Sequence, residues 1–402
     1  QFMIRQLRLI ATDPTLRLVV GAVLLFGIHA ASVAIYQSLI AISVFGISDR
    51  FYSFVLLVAL FVSVGASVGV GIITDQRPSR RSMALSASAL MVAGSALVWM
   101  GNSPVYFVVA HMLLLPASGS LFGQLFAVAR LASAPLAVQD RDAILAIVRA
   151  TFAVPFMIVL PLWGMAFDGG LSLLTIYPVV LLVSLSLLAL IWRSWPADSA
   201  APWTEQKSGL GFRASIGEMV APPVLIRVML MGAIHSGSAI SGVVVGLIFN
   251  EASGRGAGDV GLFFGLFVAV EVVVTLSVGQ LLRVMPRLWI ITAGAGIYAV
   301  FLGLLPILAP TPWVWALVFP AGAGGAMVYA LAIGYLQDLM GRRAGAGASL
   351  IALQRLSSDG LSALIFAIGT WISGYGLVSI LGAATLFAAI AAILWLDRGR
   401  EP

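Results

Sequence analysis

The chain has 402 residues, of which 61% are hydrophobic and 9% charged, and its mean hydropathy is +1.07. Soluble globular proteins have about a quarter of their residues charged, so this composition excludes that class. The net charge of +6 is dispersed along the chain, which argues against a nucleic-acid partner. With no cysteine and three separated histidines, we expect no disulfide, no metal and no other cofactor.

Twelve apolar stretches have the length of about 20 residues that a helix needs to cross a lipid bilayer. They lie at 18–44, 52–73, 83–100, 104–130, 143–166, 171–193, 223–248, 259–281, 288–308, 312–338, 344–370 and 375–396. The predicted fold is an all-α polytopic membrane protein with twelve transmembrane helices. Lysine and arginine concentrate in the loops of one side, so we expect both termini to be cytoplasmic.

The loop after the second stretch combines an acidic residue, Asp75, with Arg77, Arg80 and Arg81. Arginines in a short loop resist translocation and therefore predict a tight cytoplasmic turn. Gly71 lies one helical turn before Asp75, so we expect a neighbouring helix to approach the backbone there. These five residues are the predicted gating elements of the first half.

A polar segment at 194–222 separates the sixth and seventh stretches and is predicted to be a cytoplasmic linker between residues 1–193 and 223–402. The same spacing of 206 residues relates His29 to His235, Ser32 to Ser238 and Arg149 to Arg355. Rare polar residues in an apolar chain seldom align by chance. We therefore predict two pseudo-symmetric bundles of six helices, related by duplication.

The sequence from Gly71 to Arg81 resembles the loop between the second and third helices of major facilitator superfamily transporters. It is one residue longer, with Pro78-Ser79 where the family has a glycine, and this longer form is similar to the sugar efflux transporter branch. Three later stretches resemble that branch: Gln124 to Arg130, the apolar run around Glu271, and Gln337 to Ala346. The resemblance implies a central site that opens alternately to each side of the membrane. The fifth helix keeps Pro161 but lacks most glycines of the run found in many antiporters, which weakens the case for antiport.

Glu271 lies near the middle of the eighth stretch. A charge in the bilayer core costs at least about 2.5–3.5 kcal/mol, so it persists where it faces water, a partner or a substrate. Two interpretations are open: a proton-carrying carboxylate that faces the cavity, or a structural acid hydrogen-bonded to another helix. Its depth and the resemblance favour the first.

Polar side chains recur in the first and seventh stretches at helical spacing. They are His29, Ser32, Tyr36 and Gln37 in the first, and His235, Ser238 and Ser241 in the seventh. Their hydroxyl, amide and imidazole groups match the donors and acceptors of a sugar, so we predict that they bind the solute. The alternative is hydrogen bonding between helices, which is common in membrane bundles.

Two arginines lie within predicted spans. Arg355 can pair with Asp359 one turn later, which would make a neutral structural pair. Arg149 has no acidic residue at helical spacing, and it could anchor the helix, act in a gate or bind substrate oxygens. The resemblance favours a gate or substrate role for Arg149, and we predict that Asp359 acts in gating and Arg355 in solute binding.

The combined prediction is a secondary active transporter, a proton-coupled antiporter that exports sugars or sugar-like polar solutes. We expect it to act as a monomer in the bacterial cytoplasmic (inner) membrane. Export of amphipathic drugs or of organic anions such as sugar acids is the alternative. An enzyme is disfavoured because the sequence has no nucleophile-base pair, metal cluster or paired-carboxylate motif, and a receptor is disfavoured because it has no large soluble domain.

Overall fold

The computed structural model describes residues 2–76, 79–198, 201–202, 222–339 and 347–398. Every regular element in these residues is a helix, and they contain no strand. This is the expected consequence of the apolar sequence, because a chain that crosses a bilayer in single segments can satisfy its backbone hydrogen bonds only as a helix.

Six membrane helices follow a short N-terminal helix, Phe2–Thr12. The first runs through Pro14–Ala34 and, after a break, Gln37–Leu39 and Ile40–Val44. The second and third are Asp49–Gln76 and Arg80–Gly101. The fourth comprises Pro104–Val109, Ala110–Leu114, Leu115–Ser118 and Ser120–Ser133. The fifth is Val138–Asp168, and the sixth is Ile176–Ser194 after a short turn at Leu173–Thr175.

The second half repeats this order with fewer interruptions. Its seventh, eighth and ninth helices are Pro222–Glu251, Ala257–Leu281 and Arg287–Leu308. The tenth helix, Val318–Leu339, follows a 3₁₀ turn at Pro312–Leu317, and the eleventh and twelfth are Gly347–Ile372 and Tyr375–Leu396.

Eleven helical segments of the described chain are long and apolar enough to cross a membrane. The protein is therefore a multi-pass membrane protein. The eleventh helix is not among these eleven, although it is 26 residues long. The polar residues from Gln354 to Asp359 interrupt its apolar sequence, and they lie beside the candidate site described below.

Two membrane helices contain irregular turns. Ile40–Val44 in the first and Ala110–Leu114 in the fourth are π-helical, a form that is frequent at functional sites. In the fourth helix, Pro116 follows the π-helical turn and cannot donate a backbone hydrogen bond, which accounts for an interruption here.

By its internal contacts the chain divides into two compact units. The first unit comprises Gln1–Ala34, Phe61–Leu160 and Leu171–Ser208, and the second comprises Ile35–Leu60, Pro161–Gly170 and Gly209–Pro402. Each unit has a core of buried aliphatic side chains. The second unit includes segments from both sequence halves, so the predicted division at the 194–222 linker remains a prediction.

Candidate functional site

A polar cluster lies inside the second unit among otherwise apolar helices. We call the following residues the central cluster: His235, Ser238, Ser241, Tyr298, Tyr329 and Gln354. The hydroxyl of Ser241 lies 2.7 Å from that of Tyr298, and the hydroxyl of Ser238 lies 3.3 Å from that of Tyr329. His235 packs edge-on against the ring of Tyr329, with ring centroids 5.2 Å apart.

Close helix crossings bring this cluster together. A Cβ atom on Gly232 would lie 2.7 Å from the carbonyl oxygen of Gln354, so the seventh and eleventh helices can meet this closely only at a glycine. A Cβ on Gly324 would lie 2.8 Å from the backbone nitrogen of Tyr298, which gives the same result for the ninth and tenth helices. The crossings therefore place Gln354 beside His235 and Tyr298 beside the tenth helix.

The central cluster surrounds a small cavity. His235, Ser238, Tyr298 and Tyr329 line it, and the space open to the centre of a water molecule is about 10 Å³. This is room for about one water. Tyr329 also has a large accessible surface, because 50% of the residue is exposed. A solute larger than water would therefore meet the cluster from the exposed side of Tyr329.

Glu271 is half-buried in the eighth helix, within electrostatic range of the hydroxyls of Tyr298 and Tyr329. Among the described residues no group makes a hydrogen bond or ion pair with its carboxyl. The predicted role of Glu271 as a proton carrier stays a prediction.

Arg355 and Asp359 form the pair predicted from their spacing. The Arg355 Nε lies 3.3 Å from Asp359 Oδ2, and 58% of the arginine side chain is exposed. Both groups are within electrostatic range of the Tyr329 hydroxyl. The pair therefore lies near the central cluster, with a guanidinium that remains accessible.

His29 and Ser32 have different surroundings, inside the first unit. His29 is 6% exposed, and its Nε2 lies 3.3 Å from the hydroxyl of Ser95 on the third helix. Ser32 is fully buried and donates to the carbonyl oxygen of Ile28 at 2.8 Å. In this structure both residues therefore make contacts between or within helices.

A second group of contacts, which we call the outer junction, joins the far ends of the first, second and fifth helices to the second-half helices. All its residues belong to the second unit. Ser38 donates to Val243 O at 2.7 Å, Tyr375 donates to Asp49 Oδ1 at 2.9 Å, and Asn250 Nδ2 donates to Ser43 Oγ at 3.3 Å.

Tyr36 and Gln37 belong to this outer junction. The hydroxyl of Tyr36 donates to Ala257 O at 3.3 Å, and its ring packs edge-on against Phe167 at 5.0 Å. Gln37 Nε2 donates to the hydroxyl of Tyr52 at 3.2 Å. Their polar groups are engaged by protein, and their predicted role in solute binding stays a prediction.

Comparisons with known proteins agree with this architecture. The chain is 28% identical over 386 residues to the "Putative sugar efflux transporter" of Deinococcus radiodurans, covering 94% of this chain and 96% of that protein. Its fold is similar to that of the nucleoside transporter NupG (TM-score 0.75, 14% identity, 97% and 100% of the two chains). It is also similar to an auto-inhibited POT family peptide transporter (TM-score 0.69, 13% identity, 96% and 98%). No protein-family model matches the chain.

The chain is similar to transporters both in its fold and over nearly all of its sequence. It resembles the sugar efflux branch, and it is a transport protein, not an enzyme. The resemblance drawn from the Gly71 to Arg81 loop and from the stretches around Gln124, Glu271 and Gln337 is thereby confirmed.

The gating residues predicted for this transporter are described only in part. Arg77 and the side chain of Asp75 lie outside the described residues. Arg81 binds the end of the sixth helix, through Nη2 to Trp192 O at 2.8 Å and through its backbone nitrogen to Asp198 Oδ1 at 2.9 Å. Arg80, next to it, is half-buried and also has a polar or charged partner.

The close approach expected at Gly71 is absent from the described part of the transporter. A Cβ added to this glycine would meet no atom of the described residues within 4 Å. The expectation rested on the general use of small residues at membrane helix contacts, but Gly71 is exposed at this point of the second helix.

Arg149 is exposed along the fifth helix of the transporter. In the described part of the chain, no acidic side chain forms an ion pair with it. Two acidic residues precede it: Asp140 accepts from Arg5 Nη2 and from Gln6 Nε2 of the N-terminal helix, each at 2.8 Å, and Asp142 Oδ1 lies 3.8 Å from Arg141 Nε. The guanidinium of Arg149 is therefore available to another group.

Three residues of the site were missed by the sequence interpretation: Tyr298, Tyr329 and Gln354. The tyrosines lie in the interior of the ninth and tenth helices, whereas aromatic residues with polar groups prefer helix ends at the membrane interface. Gln354 directly precedes Arg355. Their position within apolar spans was the signal that could have identified them.

Proposed function

We propose that this transporter exports sugars or sugar-like polar solutes in exchange for protons, by alternating access. In this proposal the central cluster contacts the solute and Glu271 carries the coupling proton. The transporter acts as a monomer in the bacterial cytoplasmic (inner) membrane, with both termini cytoplasmic. The relative named as a sugar efflux transporter supports the solute class, and the nucleoside transporter with a similar fold makes nucleosides worth testing.

The observation that carries the proposal is the placement of Glu271. It is the one ionisable residue between Asp259 and Leu281 of the eighth helix, and it lies within electrostatic range of the Tyr298 and Tyr329 hydroxyls. Moving an uncompensated charge through the membrane interior is costly, so a neutral Glu271 would permit the change of access and an ionised one would resist it.

Alternating access also requires the outer junction to open. Its interactions are side-chain hydrogen bonds and ring contacts, with no ion pair among those described. Contacts of this kind contribute about 0.5–1.5 kcal/mol each, which is compatible with reversible opening. We propose that Tyr36 and Gln37 act in this junction as gate residues and meet the solute only when it opens.

The decisive experiment uses the purified protein in liposomes with an imposed proton gradient. Glu271→Gln should abolish uphill movement of the solute while exchange of labelled for unlabelled solute continues, because the amide mimics the protonated acid. Asp142→Asn, which neutralises a carboxyl group with 68% of its side chain exposed in the first unit, is the control and should retain uphill transport. Full proton-driven transport by Glu271→Gln would refute the role of Glu271.

The outer junction can be tested separately because the chain has no cysteine. Beside the Ser38–Val243 contact, a Cβ added to Gly246 would lie 3.7 Å from the Cβ of Leu39, which is the separation found in disulfides. A double variant, Leu39→Cys with Gly246→Cys, should therefore form a disulfide on oxidation that stops transport, and reduction should restore it. The two single variants are the controls and should be insensitive to oxidant. Continued transport by the cross-linked protein would show that this junction does not open.

Export of an organic anion such as a sugar acid is the second candidate, and Arg149 is the observation that favours it. An arginine without a carboxylate partner in the described residues could bind a carboxylate of the solute in bidentate geometry. Competition between matched neutral sugars and sugar acids distinguishes the two candidates. Preference for the acid that disappears in Arg149→Gln would support the anion.

A further inference from the structure

The imidazole of His235 is held from one side only. Its Nδ1 lies 3.0 Å from the carbonyl oxygen of Met231, one turn earlier, and 2.7 Å from the atom placed as Nε2 of the Gln354 amide on the eleventh helix. Among the described residues, Nε2 has no hydrogen-bond partner. Since His235 lines the central cavity, Nε2 is the polar atom that it offers to an occupant.

The two contacts at Nδ1 decide which nitrogen carries the proton. A backbone carbonyl oxygen can only accept, so its short distance to Nδ1 requires a proton on Nδ1. The oxygen and nitrogen of a glutamine amide occupy interchangeable positions, and the orientation that fits a protonated Nδ1 turns Oε1 towards it. Nδ1–H then donates to both oxygens, and Nε2 keeps its lone pair.

We propose that Gln354 is a positioning residue that, together with Met231 O, holds His235 in the Nδ1-protonated form and so makes Nε2 a hydrogen-bond acceptor for a hydroxyl of the solute. The part of this inference that concerns the solute rests on the proposed function. The part that concerns the imidazole does not depend on any transported solute.

The surroundings of Gln354 suit this role. Gln354 is 6% exposed, so water does not compete effectively for its amide. The seventh and eleventh helices are also tied one turn away, where Ser357 donates to Met229 O at 3.0 Å beside the Gly232 crossing. The position of Gln354 relative to His235 is therefore fixed by packing as well as by its own hydrogen bond.

The consequence for recognition is specific. Tyr329 and Ser238, next to His235, have hydroxyls that can donate as well as accept, whereas Nε2 in this form can only accept. The site therefore requires at least one donor on the solute. Replacing the relevant solute hydroxyl by fluorine, which cannot donate, should weaken transport about tenfold. The same replacement should have little effect on a His235→Leu variant, which has no acceptor at this position.

The test combines nitrogen NMR with transport kinetics. The protein is labelled with ¹⁵N-histidine, and since it has three histidines, His235→Gln assigns the signal of His235. We expect a protonated Nδ1 and an unprotonated Nε2 in the wild type. Gln354→Glu, which keeps an acceptor oxygen, should retain the proton on Nδ1. Gln354→Met should populate both forms and raise the half-saturation concentration several-fold with a smaller change in maximal rate.

Gln124→Met is the matched control, because Gln124 is a buried glutamine of the first unit, and it should leave the His235 signal unchanged. A wild-type His235 protonated on Nε2 would overturn the inference, and so would a Gln354→Met variant with unchanged signal and kinetics. If the protein transports a sugar and the NMR signal shows that Nε2 is protonated, the proposed function is supported and this inference is refuted. The expected signal in a protein that moves no polar solute would support the imidazole assignment and refute the proposed function.

Discussion

His29 and His235 occupy equivalent positions of the 206-residue repeat, yet their surroundings differ. His29 is buried in the first unit and reaches the short side chain of Ser95. His235 is half-buried in the second unit and meets a glutamine, a tyrosine ring and a small cavity. The serines three residues later differ in the same way, since Ser32 is fully buried and Ser238 is not.

The comparison teaches that a duplicated polar pattern need not keep one role. In the first unit, the neighbouring helices place a small hydroxyl residue against the imidazole and bury it. In the second unit, the neighbours are larger and leave one edge of the imidazole accessible. A histidine with the first surroundings contributes to packing, and one with the second can contact a solute. The following experiments test this difference, from the largest expected effect to the smallest.

The ion pairs of the two units should differ most in stability. Arg227 and Asp397 of the second unit are 8% and 9% exposed, and Tyr335 also donates to Asp397 at 2.9 Å. Breaking a buried pair costs about 3–5 kcal/mol, so Arg227→Met should lower the thermal unfolding temperature strongly. In the first unit Arg5 is 67% exposed, and Arg5→Met should cost at most about 1 kcal/mol. Equal losses in detergent-solubilised protein would contradict this distinction.

Substitution of the two histidines should separate stability from solute binding. His29→Leu removes the contact to Ser95, whose hydroxyl still donates to Met91 O at 2.9 Å, and should cost about 0.5–1.5 kcal/mol of stability, with little change in half-saturation concentration. His235→Leu should raise the half-saturation concentration about tenfold, which corresponds to about 1.4 kcal/mol. Thermal unfolding and solute exchange measured on the same preparations decide between the two roles. The reverse pattern would make His29 the solute contact.

A tyrosine contacts a histidine in each unit, and substituting these tyrosines should again separate stability from solute binding, with a smaller effect on solute binding. Tyr177 lies 2.9 Å from Nε2 of His111 in the buried interior of the first unit. Tyr177→Phe should therefore cost about 1–2 kcal/mol of stability without affecting transport. Tyr329→Phe removes a hydroxyl at an exposed residue, and it should change stability by less than about 0.5 kcal/mol. Its half-saturation concentration should rise several-fold. An unchanged half-saturation concentration would show that the Tyr329 hydroxyl does not contact the solute.

The two repeated arginines should show the smallest effect on stability. Arg355→Gln breaks an exposed pair one turn apart and should cost about 0.2–0.5 kcal/mol, while Arg149→Gln breaks no described pair and should cost less. If the solute is anionic, the two variants should differ in transport. In that case Arg149→Gln removes a guanidinium that binds the solute directly. If both variants transport a neutral solute at the same rate, the result would favour a sugar over a sugar acid as the transported solute.

The sequence was sufficient for the class of fold. Apolar stretches of membrane-spanning length predicted the helices, because a bilayer leaves the backbone no other partner for its hydrogen bonds. Contacts between side chains one turn apart on the same helix were also predictable, and Arg355 and Asp359 form the pair expected from their spacing. The eleventh helix was predicted at 344–370 and is described over Gly347–Ile372, and its polar part was already visible as Gln354 to Asp359.

Only the tertiary structure decided which polar residues meet. Helical spacing places His29, Ser32 and Tyr36 on one stripe, but it carries no information about which helix packs against that stripe. The turn at 35–36 separates Tyr36 from the helix that carries the other two, and contacts assign them to different units. Likewise, Gln354 reaches the seventh helix because Gly232 allows the two backbones to approach closely, and Tyr298 reaches the tenth helix because of Gly324. Such approaches depend on pairs of surfaces far apart in the chain, whereas the one-dimensional pattern describes each surface by itself.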